Sequence, residues 1–192
     1  MNRRIWKYVV GLSILAGSLG LAIPAKATIW RNNDDSYGDL FLTLNTAPGV
    51  GHYYNYPRPF NGLTSQAWGE NADPYASGYF RFFSGASTTT NQIVLDIRGG
   101  VPNIGARVQG YPPNGGGANQ SWLPIFRFLD IHGAACYTIH SRADTGKVMV
   151  QDRFLQITLQ NYNDPTNSPG QYWCAYATDT SGALVTQSPR PF

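Results

Sequence analysis

Short apolar-rich segments alternate along the chain with clusters of Gly, Pro and Asn, and no long stretch carries apolar residues at helical spacing. The pattern predicts strands at Leu40–Leu44, Gly78–Phe83, Gln92–Ile97, Ala106–Tyr111, Trp122–Phe128, Cys136–His140, Lys147–Gln151, Leu155–Leu159 and Tyr172–Ala177. The run Pro112-Pro113-Asn114-Gly115-Gly116-Gly117 must be a loop, and Asn163 to Gly170 is its counterpart further on. Many short strands with frequent turn signals indicate an all-β closed or sandwich fold.

A repeat organises these strands. The tripeptides Gln66-Ala67-Trp68, Gln120-Ser121-Trp122 and Gln171-Tyr172-Trp173 place their tryptophans 54 and then 51 residues apart. A period near 50 residues predicts three stacked units. A second motif recurs with them. Val108-Gln109-Gly110-Tyr111 ends 11 residues before Trp122, and Leu159-Gln160-Asn161-Tyr162 ends 11 residues before Trp173. In the first unit His52-Tyr53-Tyr54-Asn55-Tyr56 matches loosely, with Tyr54 nearest to the Gln109 position.

The amino terminus reads as a targeting segment. A basic start with Arg3, Arg4 and Lys7 precedes an apolar run from Tyr8 to Ile23 and the A-x-A pattern Ala25-Lys26-Ala27. This predicts a signal peptide over 1–27, cleavage before Thr28, a secreted, extracellular product and one domain over 28–192. Losing Arg3, Arg4, Lys7 and Lys26 takes the formal net charge from +3 to −1, so no basic patch supports nucleic-acid binding. In an exported chain the even pair Cys136 and Cys174 reads as one disulfide, with two buried thiols as the alternative. The tail from Gln187 to Phe192 is expected to be loosely held.

The most specific run is in the middle unit: Val94-Leu95-Asp96-Ile97, Val108-Gln109-Gly110-Tyr111 and Asn119-Gln120-Ser121-Trp122. It resembles the ricin B-type lectin family, and the resemblance covers Thr28 to about Thr186. It implies a β-trefoil with three pseudo-repeats of about 50 residues and twelve strands, shallow sugar pockets, and binding without catalysis. By the same resemblance Asp96 is the main hydroxyl acceptor, Asn119 its amide partner and Tyr111 the stacking platform. Gln109 and Gln120 contact sugar or hold the pocket in shape. A galactose-type sugar or polysaccharide is the implied ligand, with a homo-oligomer or partner chain for avidity.

The residue chemistry agrees. A sugar presents hydroxyls and an apolar C–H face, so its site needs directional polar groups beside an aromatic ring. A carboxylate accepts only, whereas an amide both donates and accepts. An Asp beside a strand is otherwise a turn or capping residue, and the three tryptophans are core residues before they are site residues. Gln66, Gln120 and Gln171 have a structural reading too, satisfying backbone groups beneath each loop.

The outer units depart from this pattern. Thr43 and Val150 stand at the Asp96 position, and Ser65 and Gly170 at that of Asn119. One competent site and two decayed ones are expected, with Asp152 as a candidate to rescue the third. His52, His132 and His140 lack metal-ligand spacing, so neither a metal nor another cofactor is expected. With one Glu in all, a paired-carboxylate glycosidase is disfavoured, and no other catalytic motif is present. Asn119-Gln120-Ser121 is formally a glycosylation sequon, and a glycan there would block the pocket. Two alternatives stay open: a glycan-binding delivery subunit of a multi-component toxin, and a trefoil protease inhibitor presenting Pro112–Gly117.

Overall fold

The computed structural model describes residues 27–34, 36, 38–45, 53–62, 64–88, 90–163, 169–179 and 183–190. Residues 1–26, on which the predicted signal peptide falls, His52 and residues 164–168 of the second loop lie outside the described residues. Thirteen strands are described: β1 (Thr28–Asn32), β2 (Phe41–Asn45), β3 (Tyr53–Arg58), β4 (Ala67–Ala72), β5 (Phe80–Ser84), β6 (Val94–Ile97), β7 (Val108–Tyr111), β8 (Trp122–Leu129), β9 (Ala135–Ser141), β10 (Lys147–Gln151), β11 (Ile157–Asn161), β12 (Trp173–Thr178) and β13 (Leu184–Thr186).

Six of these close on themselves. β1 pairs with β4, β4 with β5, β5 with β8, β8 with β9, β9 with β12 and β12 with β1. The remaining pairs β2–β3, β6–β7 and β10–β11 are hairpins between successive barrel strands. Each repeat is therefore four strands, two in the barrel and two in a hairpin. That is a β-trefoil: the 50-residue period predicts the three units, and the resemblance to the ricin B-type lectins implies their trefoil arrangement. β13 is an addition at the end, paired with β12.

All nine predicted strands have counterparts, shifted by up to two residues at their ends. β1, β3, β4 and β13 were not expected. β4 reads Ala-Trp-Gly-Glu-Asn-Ala, and Gly, Glu and Asn are poor strand formers. β3 contains Pro57, which ordinarily demotes a segment. β1 begins at the predicted cleavage point, Thr28, and β13 is only three residues long. In β4 barrel closure overrides local preference, while β3 and β13 are placed by pairing with β2 and β12.

The three tryptophans occupy equivalent positions. Trp68, Trp122 and Trp173 are fully buried, and their Nε1–H groups donate to the carbonyls of Leu42, Leu95 and Met149 at 3.1, 3.1 and 3.0 Å. Between the first strands of the repeats, Trp30 of β1 meets Phe82 of β5 and Tyr137 of β9 at centroid distances of 5.8 and 5.6 Å. Cys136 of β9 and Cys174 of β12 face each other across the ladder and are bonded.

The tail is not loosely held as far as residue 190. Gln187 donates from its backbone to Ala175 and from its side chain to the carbonyl of Tyr176, and accepts from Ala135 N–H. Arg190 reaches Thr28 Oγ1 at 2.7 Å and the buried carboxylate of Glu70 at 3.3 Å. Burial pushes the Glu70 carboxyl above its usual range despite the nearby Arg190 charge.

Candidate functional site

β6 places Leu95 and Ile97 in the core. Asp96 lies between them, so strand alternation turns it to the opposite face. Directly across the hairpin is Gln109 of β7, and Tyr111 follows on that same face, opposite Val94. The turn Ala118–Gln120 before β8 brings Asn119 and Gln120 over this face. All five residues singled out in the sequence are thus brought together.

Their geometry is centred on the Asp96 carboxylate. Gln109 Nε2 donates to Oδ1 at 3.0 Å, and Asn119 Nδ2 and Gln120 Nε2 donate to Oδ2 at 2.5 and 3.0 Å. Asp96 lies within β6, not beyond it, and is only 2% exposed. Three of roughly four acceptor positions on a carboxylate are already engaged. Among the described residues, Gln109 Oε1 is buried and has no hydrogen-bond partner. Tyr111 is half-buried beside it.

Gln120 also ties down the loop above. Its Nε2 donates to Pro112 O at 2.9 Å and its Oε1 accepts from Asn114 N–H at 2.9 Å. Asn114 in turn donates to Asn119 Oδ1 at 3.0 Å. The same clamp recurs in the first repeat, where Gln66 holds Pro59 O and Asn61 N–H, and in the third, where Gln171 holds Asn163 N–H. The repeated glutamine is therefore first a structural residue. The loop it holds curls over the site with φ of +73° and +121° at Gly115 and Gly116, unlike the extended strand a protease-inhibitory loop presents.

The tryptophan hydrogen bonds align the repeats. They make Leu42, Leu95 and Met149 equivalent, so Thr43 and Val150 occupy the Asp96 position, as the sequence indicates. Thr43 Oγ1 accepts from Gln66 Nε2 at 3.0 Å and donates to Phe41 O at 2.9 Å, which engages its hydroxyl in both senses. In the third repeat Gly170 lies against β10. A Cβ added there would sit 2.4 Å from the backbone oxygen of Gln151, so the turn has collapsed onto the strand. Asp152 does not rescue this unit. Its Oδ1 accepts from Phe154 and Gln156 N–H at 2.9 and 3.0 Å, capping its own hairpin.

The ladder also corrects the second motif. Asp96 pairs with Gln109, but Val150 pairs with Thr158 and Thr43 with Tyr56. Tyr111 faces Val94, whereas Gln160 faces Val148. Tyr162 is consequently two residues past the Tyr111 position, in a turn, with its ring 4.7 Å from the Arg127 guanidinium and 5.0 Å from His140. The unequal loop lengths that follow hide this shift in the sequence.

One recurrence escaped the sequence analysis. Asp73, Asp130 and Asp179 each open the turn after the tryptophan strand, through backbone bonds to Tyr79, Ala134 and Ala183. They follow the tryptophans by 5, 8 and 6 residues, too uneven a spacing to mark them in the sequence. Asp73 is buried with Arg81 at 3.3 Å and Arg142 at 3.7 Å. Burial opposes its charge, but the Ser121 hydroxyl, the Tyr75 N–H and both arginines together hold its carboxyl below the usual range. Among the described residues one grouping has metal-ligand proximity, Asp130 with Cys136 and Cys174, and those sulfurs are bonded to each other.

No family model matches the chain, and no curated protein matches it. Solved structures share its fold. A designed 3-fold symmetric protein, ThreeFoil, is 18% identical with a TM-score of 0.55, over 76% of this chain and 96% of that one. A mosquitocidal holotoxin is 16% identical with a TM-score of 0.61, over 82% of this chain but only 18% of the toxin. The Polyporus squamosus lectin, solved with a human-type influenza-binding epitope, is 16% identical with a TM-score of 0.53, over 78% of this chain and 49% of the lectin. The chain is similar to these proteins in fold: a β-trefoil.

Proposed function

We propose that this chain is a secreted, non-catalytic carbohydrate-binding β-trefoil with one working site, in the middle repeat. The observation that carries this reading is the unpaired Gln109 Oε1 beside an Asp96 carboxylate already ringed by three amides. A buried acceptor without a partner is costly, and a ligand hydroxyl that enters as the amides around Asp96 rearrange would satisfy it. Asn119 can exchange its bond to Asp96 for one to a second hydroxyl, and Tyr111 offers a ring to the C–H face. The outer repeats lack the carboxylate, and their equivalents are either satisfied internally or apolar.

A single shallow site of this kind binds in the millimolar to high-micromolar range, about 4–6 kcal/mol. Avidity then comes from a second copy or a partner chain. A glycan array followed by titration of the best glycan tests the reading. The expected result is binding by the wild type and its loss in Tyr111→Ala at unchanged melting temperature. Binding to no glycan on the array overturns it.

A further inference from the structure

We infer that Tyr75, contributed by the first repeat, forms a second subsite beside the Asp96 centre, so that the preferred ligand is an oligosaccharide whose second residue contacts this ring. The inference rests on the reading of the Asp96 centre as a sugar site. Tyr75 is 60% exposed, yet it is fastened at its base. Its backbone N–H donates to Asp73 Oδ1 at 3.0 Å, and Asp73 Oδ2 accepts from Ser121 Oγ at 2.6 Å. Ser121 directly follows Asn119 and Gln120. One buried carboxylate thus links the tyrosine to the turn that carries two site amides. Arg81 pairs with Asp73 and also places its guanidinium 5.4 Å from the Tyr75 ring centroid.

The ring adjoins the site loop. A Cβ added to Gly116 would lie 2.9 Å from its Cγ, and one added to the next residue, Gly117, would lie 2.4 Å from Asn119 Oδ1. Tyr75 and Asn119 therefore flank a single peptide unit, whose Cα atoms are about 3.8 Å apart. A sugar held at Asp96 projects its next residue over that short span. A large aromatic held rigidly in solvent gives contact area at little entropic cost, which is how such rings serve recognition. The equivalent turn at Asp130 carries His132 on the same backbone hydrogen bond, so the tyrosine is specific to the turn beside the working site.

The test compares the best-binding array oligosaccharide with its terminal monosaccharide, by calorimetric titration of the full purified protein. Tyr75→Ala is expected to weaken the oligosaccharide roughly fivefold to tenfold and to leave the monosaccharide within twofold. Tyr75→Phe, which keeps the ring, is expected to match the wild type. Equal loss for both sugars makes Tyr75 only a support for the loop and overturns the subsite, as does no loss for either. If Tyr111→Ala and Asn119→Ala both bind as the wild type does, the Asp96 reading fails instead, and the subsite falls with it.

Discussion

Gln120 Nε2 lies 3.0 Å from Asp96 Oδ2, and in the first repeat Gln66 Nε2 lies 3.0 Å from Thr43 Oγ1. The contact is the same in both places, while the partner has changed from a charged acceptor to a hydroxyl. A hydroxyl already donating to a backbone carbonyl meets the needs of the glutamine and nothing more. A carboxylate with two further amides around it exceeds those needs, and that excess marks the middle repeat.

Asp96 therefore supports the fold as well as the site. Asp96→Ala removes the acceptor of three side-chain N–H groups, two of them on fully or nearly fully buried amides. Hydrogen bonds to a charged group contribute about 1.5–3 kcal/mol each, and stranded donors add a desolvation cost. The expected loss is about 3 kcal/mol by urea unfolding, together with loss of glycan binding. A variant of wild-type stability would show that the carboxylate does not organise the amides.

Gln151 holds the opposite kind of position. It takes the place of Leu44 and Ile97 in the aligned repeats, and both of those are core residues. It is buried, and among the described residues neither Nε2 nor Oε1 has a hydrogen-bond partner. Replacing an unsatisfied buried amide by an apolar group of similar size relieves about 1–3 kcal/mol. Gln151→Leu is expected to raise stability by about 1–2 kcal/mol in urea unfolding. A destabilised variant would show that the amide is satisfied after all.

The repeat was legible because it depends on spacing along the chain, whereas the trefoil and the five-residue set around Asp96 came from the resemblance to the ricin B-type lectins. The tryptophans bury at a fixed period, and Asp96, Gln109 and Tyr111 share a face through simple alternation. What the sequence concealed depends on neighbours from other repeats. Glu70 belongs to a strand whose composition argues against strand, and Trp30 to one that adjoins the predicted leader; closure of the barrel places both. Tyr162 looked equivalent to Tyr111 because Gln-x-Tyr recurs, but pairing register, not motif, decides which residues face each other. Tyr75 carries no motif, and only Asp73 and Ser121 connect it to the site.

Two glycines separate packing from function. Gly170 would place a Cβ 2.4 Å from a backbone oxygen, in a turn pinned by Asn32 Nδ2 donating to its carbonyl at 3.0 Å. Gly170→Ala is expected to cost about 2–3 kcal/mol through overpacking, with no effect on sugar affinity in the folded protein. Gly117 has an ordinary φ of −61°, and the nearest atoms its Cβ would meet are the ends of the Asn114 and Asn119 side chains. Those ends can swing away, so Gly117→Ala is expected to cost under about 1 kcal/mol while displacing Asn119 from Asp96 and altering glycan affinity. Paired thermal melts and titrations check both, and the reverse ordering of stability costs would contradict the geometry.

His140 links stability to pH. Its Nδ1 lies 2.9 Å from Thr145 O, which can only accept, so Nδ1 carries the proton of the neutral ring. Nε2 is then an acceptor, with Thr138 Oγ1 at 3.0 Å and the Arg127 guanidinium at 3.3 Å. Arg127 Nε donates to Thr138 Oγ1 at 2.9 Å, leaving the threonine proton for the imidazole. Protonating Nε2 would set donor against donor and place an imidazolium beside a guanidinium. Burial first, and the Arg127 charge with it, holds the His140 pKa below 6.5, while the Thr145 carbonyl opposes them. The folded state therefore binds this proton less readily than the unfolded chain. The stabilisation is fully present above pH 6.5 and is lost as pH falls through the lower folded pKa. Urea unfolding from pH 7.5 to 5 is expected to show stability declining below pH 6.5 in the wild type. His140→Gln, which cannot titrate, should show a smaller decline over the same interval. A decline in His140→Gln as large as in the wild type would show that His140 does not contribute this slope, since the raised Glu70 pKa acts alike in both proteins.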